Sequence, residues 1–238
     1  LPDKIDIYIA LTPNDSETIT YNHPIDEIKA KSDGSALALI SHLRKFTAHP
    51  YLYGNDILSR RFSEMREASA KFNHLSKIIE SVIFAGEKAL VFANHKDLLE
   101  GMRQEFAQQF RIPCFKIDGT VSVAERQSVI DAFEAAKGSS VLFLNPITAG
   151  MGLNITAANH VVHFSRQWNP ALEQQATARS FRNGQTKSVN AYYLFYANTI
   201  EEVIHERLNI KQNLSSSIIT PSVDQEVDAL YLELIKEL

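Results

Sequence analysis

Between Lys88 and Tyr196 short apolar runs alternate with longer periodic ones, and this alternation constrains the fold more than any other feature of the chain. Lys88–Ala93, Pro113–Ile117, Ser140–Leu144, His160–Phe164 and Val189–Phe195 are rich in β-branched or aromatic residues and bounded by turn formers, as strands are. The stretches near Lys96–Phe110, Ser122–Ala136 and Pro170–Arg182 are long enough for helices that make right-handed crossovers. The expected class is α/β, a parallel sheet flanked by helices, which binds ligands at the carboxyl ends of its strands.

This lobe, RecA-like or Rossmann-like in kind, is expected to span residues 71–198. Phe72, Leu75, Ile78, Ile79, Val82 and Ile83 recur at helical spacing up to Gly86, giving an amphipathic helix that feeds the first core strand. Residues 1–70 read differently: an alternating strand over Ile5–Leu11, then a helical extension with segments around Ser35–Thr47 and Ile57–Glu67. Asp26-Glu27 follows no buried strand and reads as a solvated helix start. Residues 199–238 form a second helical extension. Thr199-Ile-Glu-Glu202 is a capping box for a helix to about Leu214, before Ser215-Ser-Ser and Pro221 interrupt it. A last helix carries Val227, Leu230, Tyr231, Leu234, Ile235 and Leu238 as a stripe, which either docks on its own domain or meets a partner.

A chain of 238 residues with 45% hydrophobic content buries a sizeable core. The net charge of -4 argues against a free-standing, strongly basic nucleic-acid binder, so any nucleic-acid surface must be local. A lone Cys114, in what reads as a buried strand, excludes a disulfide framework and a cysteine metal site and suggests a reducing, cytosolic setting. No apolar run approaches the roughly 18 residues of a membrane span, and no signal peptide is visible. The chain opens on Leu1 and is expected to be a piece of a longer polypeptide.

Residues 174–185 carry the most chemistry. Were this segment helical, Gln175, Arg179 and Arg182 would set an amide and two guanidiniums on one face. Such a face suits a polyphosphate, because arginine offers planar, permanently charged, bidentate donors. The loop Asn145–Ile155 holds Gly150 and Gly152, which let the backbone approach a ligand closely, or simply make a turn. His160 and His163, three apart on a strand, face opposite sides and have no suitably spaced third ligand, so no metal site is expected. Ser165 lacks a hydrolase pattern around it.

The order of the pieces is more specific than any one of them. Leu1-Pro-Asp-Lys is followed by Leu43-Arg-Lys with His49-Pro50, Ser69-Ala-Lys71, Asp118-Gly-Thr with Arg126, Gly152-Leu-Asn and Trp168-Asn-Pro. Gln175-Ala, Arg179, Arg182, Gly184-Gln and Thr199-Ile-Glu-Glu close the series. Over nearly its whole length the chain resembles the second RecA-like lobe of the Swi/Snf-type helicase-like ATPases. The resemblance implies a motor that hydrolyses ATP, with magnesium, between two lobes and moves along double-stranded DNA. It implies Arg179 and Arg182 as arginine fingers, Gln175 orienting the nucleotide or attacking water, and the loop with Gly150, Gly152 and Asn154 lying along the nucleotide cleft. An arginine finger contributes about 10³- to 10⁵-fold in rate. The resemblance also places Asn94, Asn145, Thr148 and Trp168 on the DNA, the tryptophan as a minor-groove wedge; by its residue type alone Trp168 equally suits packing on its own lobe.

The chain departs from its relatives at Ala178, Phe181 and Asn183, where they commonly carry an acidic residue, a histidine and an apolar residue; the lost carboxylate removes an orienting partner for an arginine or a link to the opposite lobe. Neither a Gly-x-x-x-x-Gly-Lys-Ser/Thr loop nor an acidic magnesium pair occurs, so the phosphate cradle is expected on the N-terminal lobe of the same polypeptide, and the isolated chain, expected to be a monomer, should not turn over. The expected location is cytoplasmic, nucleoid-associated in a prokaryote or nuclear in a eukaryote. Two other readings stand beside it: a non-catalytic nucleic-acid or protein-docking module, and a Rossmann-type enzyme, which Phe92-Ala-Asn-His95 disfavours because it has no glycine.

Overall fold

The computed structural model describes residues 2–30, 36–54, 56–149, 153–167 and 169–215. The elements run β1 (Lys4–Leu11), α1 (Asp15–Ala30), α2 (Ala36–Ala48), α3 (Pro50–Tyr53), a 3-10 turn (Ile57–Ser59), α4 (Phe62–Ala68) and α5 (Ala70–Phe84). Then come β2 (Lys88–Phe92), α6 (Lys96–Phe110), β3 (Cys114–Ile117), α7 (Val123–Ala135), β4 (Ser140–Leu144), α8 (Pro146–Ala149), β5 (His160–His163), α9 (Pro170–Thr177), β6 (Val189–Tyr196) and α10 (Ile200–Ser215). All six strands join one sheet in the order β1-β6-β5-β2-β4-β3, and every pairing is parallel. The expected RecA-like α/β sheet is what forms.

Ala89–Phe92 of β2 and all of β4 and β5 are buried because both sheet faces are covered, and only the histidines at the two ends of β5 and Ser140 of β4 interrupt their apolar character. The chain leaves β2 toward β3 on one side, but leaves β5 toward β6 on the other. The switch point of the sheet therefore lies between β2 and β5, where diverging loops open a crevice at the carboxyl ends. Phe92, His163, Tyr193 and Tyr8, on four adjacent strands, stack in a row near this edge, with centroids 5.4, 4.7 and 4.8 Å apart in turn. Cys114 lies half-buried on the far edge strand, and burial pushes its thiol up to about 12.

Local signals set most helix ends. Ser69 caps α5 by accepting from Phe72 N, and Gly86, with φ +69°, lets the chain turn after it. Ser122 and Glu125 form a reciprocal capping box on α7. Asn14 and Glu17 do the same for α1: Glu17 N donates to Asn14 Oδ1 and Asn14 N to a Glu17 carboxylate oxygen, both at 2.9 Å. Asp26 and Glu27 therefore lie inside α1 and do not start a helix, because the cap is twelve residues earlier at Asn14. The expected helix over Ile57–Glu67 is split into a 3-10 turn and α4 by extended backbone at Arg60 and Arg61.

At α10 the capping residues are shared differently from the simple box. Glu202 accepts from Asn198 N at 2.7 Å, while Glu201 turns inward to Lys71. The stripe from Val227 to Leu238 lies outside the described residues.

The core has three parts. One packs α4, α5 and α6 against one sheet face, a second packs α7 and the loop before β5 against the other, and the third joins Tyr21, Leu39, Ile40, Leu43 and Phe46 to Ile200, Ile204 and Leu208. Helices from the two ends of the lobe thus share one small core.

Candidate nucleotide and nucleic-acid site

The arginine segment is not one continuous helix. Asn169 Oδ1 accepts from Ala171 N at 2.9 Å and Pro170 occupies the first turn, which starts α9 firmly. The helix then ends at Thr177, five residues short of Arg182. Arg179 N and Ser180 N donate to carbonyls three residues back, tightening the backbone into turns. The Arg179 carbonyl, needed to continue a helix, accepts instead from Ile155 N at 3.1 Å, and Phe181 packs against the second core. Tertiary contacts therefore override the helical spacing. Gln175 stands exposed on α9, Arg179 half-buried in the turn after it, and Arg182 exposed in the following bend.

The charge of Arg182 nevertheless acts on Arg179. Arg179 has its pKa lowered, first by partial burial and then by repulsion from the Arg182 charge. Its Nη1 donates to the Leu153 carbonyl at 3.3 Å, which fixes the arginine to the loop that contains exposed Asn154. Gly150 and Gly152 of that loop, and Trp168, lie outside the described residues.

Gln185 is the pin behind this arrangement. Its buried Nε2 is within hydrogen-bonding distance of three carbonyls, Ala158 at 2.9 Å, Thr156 at 3.1 Å and Ser180 at 3.3 Å, while Oε1 accepts from Thr186 N and Lys187 N. One side chain thus ties the loop before β5 to the turn after α9. Gly184, at φ +106°, supplies the left-handed backbone that turns Gln185 inward. Sequence reasoning found the Gly-Gln pair but gave it no role; a glutamine after a glycine is the signal, and only the fold shows what it holds.

A second site lies at the switch point. Asn145 Nδ2 donates to the Asn94 carbonyl at 3.0 Å, and Asn145 Oδ1 accepts from Ile147 N. Gln167 Nε2 donates to Asn94 Oδ1 at 2.7 Å, linking the loops after β2 and β5. Asn94 and Asn145 thus line a groove of about 320 Å3, walled on its other side by Ile40, Ser41 and Arg44 of α2. Thr148, at 5% exposure, is buried and does not line the groove. The loop after β5 is held by a buried ion pair: Arg166 donates from Nε and Nη2 to both Glu173 oxygens, at 2.9 and 3.1 Å, and Gln167 N adds a bond to the same carboxylate. Seven residues separate Arg166 from Glu173, a spacing that carries no local signal, so sequence reading missed the pair.

His160 and His163 take unrelated partners. His160 bonds Glu87 at 2.6 Å, while His163 bonds Thr177 Oγ1 at 2.8 Å, and burial lowers its pKa to about 3.

Residues 70–184 match the helicase conserved C-terminal domain. Over 218 residues the chain is 30% identical to a putative ATP-dependent helicase/translocase of Bacillus subtilis strain 168, YwqA, covering 89% of this chain and 23% of that protein. The chain therefore spans about a quarter of the length of the curated relatives it matches. Among solved structures it superimposes on the C-terminal part of the Fun30 ATPase domain with a TM-score of 0.80, covering 99% of this chain and 97% of that one at 19% identity, a likeness of fold. The Sulfolobus solfataricus SWI2/SNF2 ATPase core in complex with double-stranded DNA gives a TM-score of 0.74 at 28% identity, covering 90% of this chain and 45% of that one.

Proposed function

The chain belongs to the Swi/Snf-type helicase-like ATPases, as the second RecA-like lobe of their ATPase core, and from that premise we propose that it supplies the arginine fingers and part of the DNA track of a double-stranded-DNA translocase. ATP and its magnesium ion are held mainly by the N-terminal lobe of the same polypeptide, whose phosphate loop this lobe lacks. The isolated lobe is a monomer that does not turn over ATP. In the cell it works in the cytoplasm, on the nucleoid of a prokaryote or in the nucleus of a eukaryote.

What supports the reading is the set of contacts that fixes Arg179 in the turn after α9: its Nη1 donates to the Leu153 carbonyl, its own carbonyl accepts from Ile155 N, and Gln185 ties that turn to the same loop. An arginine fixed in this way, with the Arg182 charge acting on it, is preorganised for an anionic phosphoryl group. Charge on a transferring phosphoryl group relieves the repulsion between the two arginines and is stabilised by both, with no reorganisation at the moment of reaction. Gln175, exposed on α9, orients the nucleotide or water. Gly150, Gly152 and Asn154 line the cleft through the loop that Arg179 Nη1 grips at Leu153. Asn94, Asn145 and Thr148 meet the DNA backbone, and Trp168 serves as a minor-groove wedge.

The test is DNA-stimulated ATP hydrolysis by the full-length protein. Arg182→Ala is expected to abolish it, by about 10³-fold or more, with double-stranded-DNA affinity changed only a few-fold. Undiminished turnover in that variant refutes the finger assignment.

A further inference from the structure

His163 ends β5, beside the switch point, with its ring between those of its register partners on the two neighbouring strands, Phe92 of β2 and Tyr193 of β6. The ring planes lie within 18° and 5° of parallel, so the imidazole is held on both faces.

Packing alone does not call for a histidine there. His163 is fully buried, and its Nδ1 has no hydrogen-bond partner among the described residues. A buried polar atom left unpaired destabilises the fold, whereas a phenylalanine would stack in the same slot without that cost. What the histidine adds is one hydrogen bond, between Nε2 and the Thr177 hydroxyl oxygen at 2.8 Å. Burial keeps the ring neutral, so it carries a single N–H. On Nε2 that hydrogen meets the Thr177 oxygen; on Nδ1 it would be a buried donor with nothing to bond. His163 therefore donates and Thr177 accepts.

Thr177 passes the bond on to the arginine turn. It is 2% exposed and is the last residue of α9. Its carbonyl accepts from Ser180 N at 3.1 Å and from Phe181 N at 3.0 Å, the two residues that follow Arg179. The side chain of Thr177 is thus fixed to the sheet while its main chain holds the start of the turn. At the far end Gln185 ties the same segment to the loop before β5. Arg179 and Arg182 lie between these two anchors.

The structure assigns His163 and Thr177 a positioning role: their hydrogen bond pegs the turn after α9 to the sheet and sets where Arg179 stands toward the transferring phosphoryl group. The inference rests on the arginine-finger reading above. Both residues are buried and act through the turn. A finger makes its decisive contacts in the transition state, so displacing it lowers kcat and leaves ground-state binding of ATP in place.

The test is DNA-stimulated ATP hydrolysis by the full-length protein, with KM for ATP, double-stranded-DNA affinity and melting temperature measured alongside. Thr177→Val keeps the shape and removes the hydroxyl, Thr177→Ser keeps the hydroxyl, and His163→Phe keeps the stack and removes the bond. Thr177→Val and His163→Phe are each expected to lower kcat by about tenfold or more, with KM and DNA affinity changed by less than about threefold, and Thr177→Ser to recover most of kcat. The double variant is expected to be no worse than the poorer single one, because both remove the same bond. Arg179→Ala is the control for the finger reading. If it abolishes turnover while Thr177→Val and His163→Phe keep their kcat, the peg is refuted and the finger stands. If Arg179→Ala turns over undiminished, both fail. Losses of kcat that add in the double variant, or that track the melting temperature with Thr177→Ser no better than Thr177→Val, reduce the pair to a packing contact and overturn the inference.

Discussion

His49 uses both ring nitrogens. Nδ1 accepts from Tyr51 N at 3.2 Å and caps α3, which leaves Nε2 to donate to the Met65 carbonyl at 3.1 Å. Only the neutral tautomer satisfies both bonds, and burial lowers the pKa from 6.5 to about 4. Between those values the unfolded chain binds a proton that the folded chain refuses. Stability is therefore fully present above about 6.5 and is lost as the pH falls toward 4, at up to about 1.4 kcal/mol per pH unit for this residue. His163, at about 3, adds to the same slope. Chemical denaturation of the lobe at pH 7, 5.5 and 4.5 is expected to show this decline. His49→Asn keeps a capping oxygen but loses the bond to Met65, so it should be less stable at pH 7 and show a shallower decline. A slope as steep as that of the unaltered lobe would remove His49 from the account.

At the scale of elements, the legible features were those with a local cause. Every core strand lies within a residue or two of where its apolar run put it, α5 stops just before Gly86, and α6 and α7 fill the stretches read as helical. Segments whose ends are decided by distant partners were not legible. The helix expected through Arg182 stops at Thr177 because Ile155 N takes the Arg179 carbonyl and Phe181 is drawn into the core, contacts that reach across from a loop before β5. The candidate site shows the same split: residue types and order marked Gln175, Arg179 and Arg182, but the pin that sets them was invisible. Gln185→Leu removes the donor for the Ala158, Thr156 and Ser180 carbonyls and the acceptor for two backbone N–H groups, at about 1–3 kcal/mol for each group left buried and unpaired. Since that side chain ties the Arg179 turn to its loop, DNA-stimulated turnover in the full-length protein should fall by at least tenfold, with kcat reduced more than KM for ATP is raised. Gln185→Glu keeps the oxygen and loses the donors, and should lie between. Loss of stability with kcat intact would reduce Gln185 to a purely structural role.

The whole lobe is closed by contacts between its ends. β1 pairs with β6 along all eight residues, from Lys4↔Val189 to Leu11↔Tyr196. Beyond the sheet, Glu17 of α1 accepts from the Tyr196 hydroxyl and from Ala70 N, and Tyr196 in turn accepts from Lys71 N at 2.9 Å. Lys71, fully buried, spans both oxygens of Glu201 on α10. Burial lowers the Lys71 pKa, opposed by the Glu201 charge, so each member of this pair depends on the other remaining in place. The change of pattern near residue 70 suggested a boundary between an extension and a lobe, yet the contacts that bear on it join residues far apart in the chain and leave no local trace. Removing residues 1–70 strips β1 from β6, exposes Ile200, Ile204 and Leu208, and takes Ala48, Leu52, Ile57, Phe62 and Met65 out of the first core. Each large apolar side chain so uncovered costs about 1.5–3 kcal/mol, so the three on α10 alone forfeit about 4.5–9 kcal/mol, as much as the 5–15 kcal/mol by which many domains are stable. A fragment of residues 71–215 is therefore expected to aggregate or to melt without a cooperative transition, while residues 2–215 unfold cooperatively in the same buffer. Circular dichroism during a thermal ramp distinguishes the two. A cooperative transition in the shorter fragment, within a few degrees of that of the longer one, would mean that the sheet from β2 to β6 is self-sufficient and that the extension is an appendage to it.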